Sequence, residues 1–367
     1  MRFRRCQVVL DIASVVIFAA ALSAPLVGMW AGLGQLQAQE EKRRLAPLPI
    51  VTPDPRSWAA APSAFTAYFY DHFGFRKTLV HVDALVKIKV LGESTSPDVV
   101  VGEQGWLYYS AAHSLDSYRG VASFGPGELH QWTTALGRMR DWLASRNIRF
   151  YVILPPDKHT IYPEYLPASV KRGAAATRLE TLITALRQTN IDVIDIRDNL
   201  LRAKSTGLLY HRTDTHWNGN GGYVAYEAIV SELSRAFPRM HPPYPRSDFK
   251  PWARRVTGDL NSMLGLTRGY EEEIMVLVPR KDAALQHADG KLVITERNDP
   301  QLPRMVMMRD SFANFLITLL SQHFSRAVFI WDNNFDPALM ERERPDLVLF
   351  ELVERRLVEG VPPLAPG

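Results

Sequence analysis

Between residues 127 and 352 the chain alternates helical and strand-like patterns, and this alternation limits the possible folds more than any other feature. Residues 127–147 carry Leu129, Trp132, Leu136, Met139, Trp142 and Leu143 at helical spacing, and the apolar run 149–154 follows as a buried strand. A helical pattern over 174–189 precedes a strand over 191–196, and 222–237 is again helical. Strands are expected over 291–295, 305–308, 327–331 and 347–352, with helices over 312–324 and 337–342. Such an order predicts an α/β domain whose mostly parallel sheet lies between helices. Ligands of these sheets bind beyond the strand C-terminal ends, and Ser311 lies just past one of them.

The N-terminus reads differently. No charged residue occurs from Ile12 to Leu33, enough for the roughly 20 apolar residues that cross a bilayer and more than the about 7–15 of a cleaved signal core. A cut after Ser23 or Ala24 is the minority reading, so a retained anchor is expected. Arg2, Arg4 and Arg5 place its start on the cytoplasmic side, although Lys42, Arg43 and Arg44 blur the contrast. The expected division is a signal anchor over 1–34, a polar, proline-bearing linker over 35–64 and a domain over 65–367. Within the domain, 65–91 is amphipathic, and 99–109 reads as two short strands around a turn at Gly105.

Composition excludes some alternatives. A hydrophobic content of 46% with 22% charged residues is that of a globular chain. The net charge is only +4, much of it on the three N-terminal arginines, and no basic cluster with interleaved aromatics suggests nucleic acid. Cys6 is the single cysteine, which leaves the exported part without disulfides; Phe3, Arg4 and Arg5 before it do not fit a lipoprotein signal.

Two stretches carry chemistry. Asp214-Thr215-His216-Trp217 sets a carboxylate two places before an imidazole on a turn, and Asp310-Ser311-Phe312 sets a hydroxyl where a strand gives way to a helical pattern. A hydroxyl becomes a useful nucleophile when a base takes its proton, and the base works best when a carboxylate fixes its tautomer. Backbone N–H groups at a helix start can hold an oxyanion. Each stretch alone also reads as a cap or a surface histidine; together they point to acyl transfer by an Asp214, His216, Ser311 triad. His211, Asp214 and His216 as metal ligands is the rival reading, which leaves Ser311 without a role.

These residues, with Asp71-His72-Phe73-Gly74-Phe75-Arg76, Pro155-Pro156-Asp157-Lys158, Ile161-Tyr162-Pro163-Glu164 and Glu354-Arg355, resemble the AlgJ/AlgX type of SGNH-hydrolase-like polysaccharide O-acetyltransferases. The resemblance implies an SGNH-hydrolase-like (flavodoxin-like) domain in which Ser311 is nucleophile, His216 base and Asp214 its orienting acid. It implies an exported acetyltransferase on the periplasmic face of the bacterial inner membrane, working through an acetyl-serine on an exopolysaccharide acceptor. A membrane-bound O-acyltransferase is implied as the acetyl-donor partner, with no cofactor and no metal. An acetylesterase with the same triad and a non-catalytic glycan-binding component are the alternatives. Arg309 stands where the family has glycine, which puts the oxyanion partners in question: Ser311 N–H, then Asn333 or Asn334. Lys158, Tyr162, Trp217, Arg309, Asn334 and Arg355 are the expected substrate contacts.

Overall fold

The computed structural model describes residues 2–32, 45–111, 113–266, 270–279 and 284–362. The chain divides into two compact units, Met1–Leu91 and Gly92–Gly367. The first holds α1 (Arg2–Trp30), α2 (Pro55–His72) and α3 (Arg76–Val86). Within α1, Asp11–Trp30 has a mean hydropathy of 2.2 and is long and apolar enough to cross a membrane. Residues 35–44 of the expected linker, and 33–34 of the expected anchor, lie outside the described residues. The rest of that linker is only partly irregular, because Asp54 caps α2 by accepting from Arg56 N–H and Pro55 opens it.

The second unit begins with a hairpin, β1 (Val99–Val101) and β2 (Leu107–Tyr109), turning through Gly105 at φ 80°. In order follow α4 (Glu128–Ala144), β3 (Arg149–Ile153), α5 (Arg178–Gln188), β4 (Asp192–Ile194), α6 (Arg197–Ala203), α7 (Gly219–Ala236), β5 (Phe249–Thr257), β6 (Glu271–Pro279), β7 (Ala284–Ala288), β8 (Leu292–Glu296), β9 (Arg304–Met308), β10 (Arg326–Ile330), α8 (Pro337–Glu343) and β11 (Leu347–Glu351). Seven strands form one sheet in the order β4-β3-β11-β9-β10-β8-β7. The five from β4 to β10 are parallel, whereas β8 runs antiparallel to β10 and β7 antiparallel to β8. The alternation of patterns suggested a parallel strand over 291–295; no helix separates β7, β8 and β9, and a parallel return needs a crossover of about a dozen residues or more.

Side chains of a strand point to opposite faces in turn. Met305 and Met307 accordingly join Tyr151, Leu349, Phe329 and α7 in one core, while Val306 and Met308 join Phe150, Val348, α4 and α5 in the other. Thr177 and Glu180 close a reciprocal capping box at the start of α5.

Two departures bear on the site. The expected helix over 312–324 is a 3-10 turn, Ser311–Phe315, then one α turn, Ile317–Leu320, then a 3-10 turn, Ser321–His323. Its aromatic and β-branched residues are weak helix formers, and the burial of Phe312, Leu316, Leu319 and Leu320 against the sheet dictates its path. The antiparallel pair β5–β6 lies in a stretch that the period of the sequence did not single out, since Pro251 sits inside β5.

Candidate active site

The loop before α7 folds back on itself. Tyr210 and Trp217 pair as an isolated bridge, and His211 N–H donates to the His216 carbonyl at 3.2 Å. Asn218 then caps α7, its side-chain oxygen accepting from the N–H groups of Asn220 and Gly221. A side chain at Gly221 would collide with the Leu209 carbonyl and stand 2.8 Å from Trp217 Cβ, so only glycine lets the helix start this close to the loop.

Three side chains hold the loop from outside. Lys158, almost fully buried, donates from Nζ to the carbonyls of His211 (3.0 Å), Arg212 (3.0 Å) and Asp214 (2.8 Å). Glu272 on β6 accepts from the N–H groups of Arg212 and Thr213 and from the Thr213 hydroxyl. Asp259, just after β5, accepts from the Thr215 N–H and hydroxyl. Burial opposes ionisation of Glu272, yet its bonds from His211, Thr213 and Arg212 outweigh burial and hold it at about 2.

At the tip, His216 Nδ1 donates to Asp214 Oδ1 at 2.7 Å, which leaves Nε2 to accept from Ser311 Oγ, also at 2.7 Å. Asp214 further accepts from His216 N–H and Asp259 N–H. Burial raises its pKa, but the bond and charge of His216 and the two backbone donors more than cancel this and keep it ionised, well below the usual carboxylate range. Ser311 follows β9. Arg309 N–H extends the ladder to the Ile330 carbonyl, and the Asp310 carboxylate accepts from Phe312 N–H (2.9 Å) and Val353 N–H (2.8 Å). Phe312 N–H is therefore committed to Asp310, while Ser311 N–H opens the turn ahead of its first internal bond and can receive an oxyanion. Buried Glu351 accepts from Asp310 N–H; burial and the neighbouring Asp310 push its carboxyl well above the ordinary range.

Ser311 opens onto two cavities. One, of about 370 Å³, is lined by Asp310, Trp331, Asp332, Asn333, Arg355 and Arg356 among others. The other, of about 270 Å³, also contains His216, with Trp252, Arg254, Ile274, Val276 and Phe315 around it.

Several expected substrate contacts are placed otherwise. Lys158 has its ammonium spent on three carbonyls beneath the loop, and Tyr162 is buried with its hydroxyl accepting from Leu209 N–H. Trp217 is inaccessible and donates to the Phe312 carbonyl. Arg309 lines neither cavity: it is buried, donates to the Asp310 carbonyl and Asn314 Oδ1, and stacks on Trp331, so its side chain leaves Ser311 unobstructed. Asn334 is exposed and lines neither cavity; the Asn333 side chain reaches the first but donates to the Glu351 carbonyl and accepts from Arg356. Arg355 alone of the six lies beside Ser311, bonded to Asp157 at 2.6 Å. Glu272, Asp259, Trp252 and Arg254 were missed in the sequence. No periodic signal pointed to them, since Pro251 interrupts the pattern of β5.

Among the described residues, two groups of side chains could hold a cation. In Asp214, His216 and Asp259 the facing atoms already serve one another and the loop. His211 does not join them, its Nδ1 facing Glu272 at 3.5 Å. In buried Asp157, His159 and Glu354, Oδ2, Nε2 and Oε1 respectively have no partner among the described residues. Burial, opposed by Asp157, drives the His159 pKa down to about 4 and keeps the ring neutral. Burial, then Asp157, pushes Glu354 up to about 7. A carboxyl raised in this way stabilises the fold fully below its unfolded pKa, and the contribution disappears as pH rises through about 7. Glu354→Gln, which keeps an acceptor for Asp157 N–H and the Thr160 hydroxyl, is expected to melt above the wild type at about pH 8 and level with it near pH 4, by calorimetry. Equal melting temperatures at both would refute this.

A mostly parallel α/β sheet with a hydrogen-bonded aspartate, histidine and serine at its C-terminal edge is an SGNH-hydrolase-like arrangement. The chain belongs to the family described as "SGNH hydrolase-like domain, acetyltransferase AlgX", whose model matches residues 99–328. It is 29% identical over 168 residues to "Probable alginate O-acetylase AlgJ" of Pseudomonas putida, covering 45% of this chain and 42% of that relative. The chain thus spans less than half the length of this curated relative. The fold is similar to Bacillus cereus PatB1 (TM-score 0.56, 16% identity, 71% of this chain and 96% of the other). It is also similar to the O-acetyltransferase domain of Pseudomonas putida AlgJ (TM-score 0.50, 21% identity, 71% and 92%).

Proposed function

We propose that this protein is an O-acetyltransferase that moves an acetyl group through an acetyl-serine onto hydroxyls of an exopolysaccharide. The observation that carries the reading is the unbroken hydrogen-bonded chain from Asp214 through His216 to Ser311. Ser311 Oγ attacks the acetyl carbonyl while its proton passes to His216 Nε2, and Ser311 N–H receives the developing oxyanion. Collapse expels the donor's leaving group, which takes the proton from His216. A sugar hydroxyl then gives its proton to His216 and attacks the acetyl-serine, and Ser311 leaves with that proton. Asp214 holds Nδ1–H and stabilises the imidazolium in both halves.

The family, the alginate acetylation named for its relatives and the apolar α1 together support an anchored enzyme on the periplasmic face of the inner membrane. There the acetyl group would come from a membrane-bound O-acyltransferase, since no cytoplasmic thioester reaches that side. The domain in this reading is 65–367, with 1–34 as anchor and 35–64 as linker.

An activated acetyl ester, supplied with and without an oligosaccharide, tests the reading. Acetylated sugar in the mass spectrum, and acetate release that falls as acceptor rises, are expected. Acetate release indifferent to acceptor, with no acetylated sugar, would mean an esterase.

A further inference from the structure

Trp252 is 52% exposed, whereas Trp106, Trp132 and Trp217 are wholly inaccessible, so it is a large apolar surface held in solvent without a core to justify it. Its position follows from register. In the β5–β6 pair Trp252 faces Val276 and Arg254 faces Ile274 across the ladder, and residues two apart share a face. That face carries Trp252, Arg254, Ile274 and Val276 into the cavity that holds Ser311 and His216. Glu272, on the same face, is the residue that clamps the Arg212–Thr213 backbone, so the hairpin is tied to the histidine loop by two backbone bonds and a hydroxyl bond. Arg254 lies along the Trp252 ring, 5.8 Å from its centroid, and has no carboxylate partner among the described residues. Elsewhere Arg355, Arg178 and Arg326 are each paired with an acid.

The two cavities at Ser311 are not equivalent. A hydroxyl that is to lose its proton to Nε2 must approach on the side where His216 is accessible. His216 lines the hairpin cavity and not the one containing Arg355.

We propose that the outer face of the β5–β6 hairpin is the acceptor subsite, in which Trp252 stacks on a pyranose face and Arg254 pairs with a carboxylate on that sugar or its neighbour. This rests on the acyl-transfer reading. An aromatic ring matches the apolar C–H face of a sugar, and a planar guanidinium matches a carboxylate in two parallel hydrogen bonds. The unpaired charge therefore selects acidic over neutral polymers, and the ring supplies affinity common to both.

Titration of the full chain with a defined oligouronate, and with the same oligomer after reduction of its carboxyl groups, tests the subsite. Arg254→Gln is expected to weaken oligouronate binding about tenfold and leave the reduced oligomer unchanged; Trp252→Ala is expected to weaken both about tenfold. Both side chains are exposed, and the melting temperature checks the fold. Wild-type binding that ignores the carboxylates, absent binding, or either variant binding oligouronate like the wild type would overturn the proposal. The Ser311→Ala chain separates it from the catalytic reading: it is expected to bind the oligouronate and to lose acetyl-ester turnover on the order of 10³-fold. Ester turnover undiminished by Ser311→Ala sinks the catalytic reading whatever the hairpin variants do.

Discussion

Ser311→Ala is expected to lower acetyl transfer by on the order of 10³-fold or more, while the protein melts where the wild type does. The side chain is half-buried and, among the described residues, its hydroxyl bonds only to His216, so little packing is lost with it. What disappears is the atom that, in the proposed mechanism, carries the acetyl group between donor and acceptor. Ser311 N–H and the bound acceptor remain, so residual hydrolysis of an activated ester by water is expected, but no acetylated protein. Trapping the wild type with the activated ester and digesting it should place the acetyl group on the peptide containing Ser311. Undiminished acetylation of the polymer in cells that carry the alanine variant would remove Ser311 as nucleophile and favour the non-catalytic glycan-binding reading. Asp214→Asn should fall short of this loss, since a histidine without its orienting anion still accepts a proton, in the wrong tautomer for part of the time.

That Asp214, His216 and Ser311 would meet was legible because each sits in a short local pattern, and the structure joins the three by hydrogen bonds. So were β9, β10 and β11, whose apolar runs are buried on both faces and long enough to stand out. What supports them was not legible, because it acts across the chain. Glu272 follows Arg212 by 60 positions, and Glu354 and Asp157 meet across 197. No periodicity links such partners. Asn333 and Asn334 were indistinguishable in the sequence, yet one side chain is buried against the Glu351 carbonyl and the other is exposed. Lys158 and Tyr162 carried polar ends that suit a sugar, and the fold uses those ends on backbone groups instead. A polar tip on a long side chain says that it will find a partner and nothing about whether the partner is a ligand or a carbonyl.

Lys158 offers the second large effect. Its Nζ meets three carbonyls at 2.8–3.0 Å and lies within 6 Å of the Trp106 and Tyr108 rings, at 5.7 and 5.4 Å. Three acceptors match the three N–H donors of an ammonium. Burial works against that charge and pulls the pKa down to about 7, opposed by Asp214, Asp259 and Glu272. Lys158→Met keeps the length and apolar stem but leaves the His211 and Asp214 carbonyls without their donor, while the Arg212 carbonyl keeps Leu107 N–H. An unsatisfied acceptor costs about 1–3 kcal/mol, so a loss of roughly 2 kcal/mol or more is expected, visible as a lower melting temperature. The carbonyls belong to the loop that presents Asp214 and His216, and a shift of about 1 Å there can cost on the order of 10²-fold in turnover. The deficit should appear in kcat for the small activated ester as well as for the polysaccharide. A lysine that touched sugar would behave oppositely: Lys158→Met would raise KM for the oligosaccharide and leave the melting temperature and ester turnover alone. That outcome would return Lys158 to the substrate and remove it from the scaffold of the histidine loop.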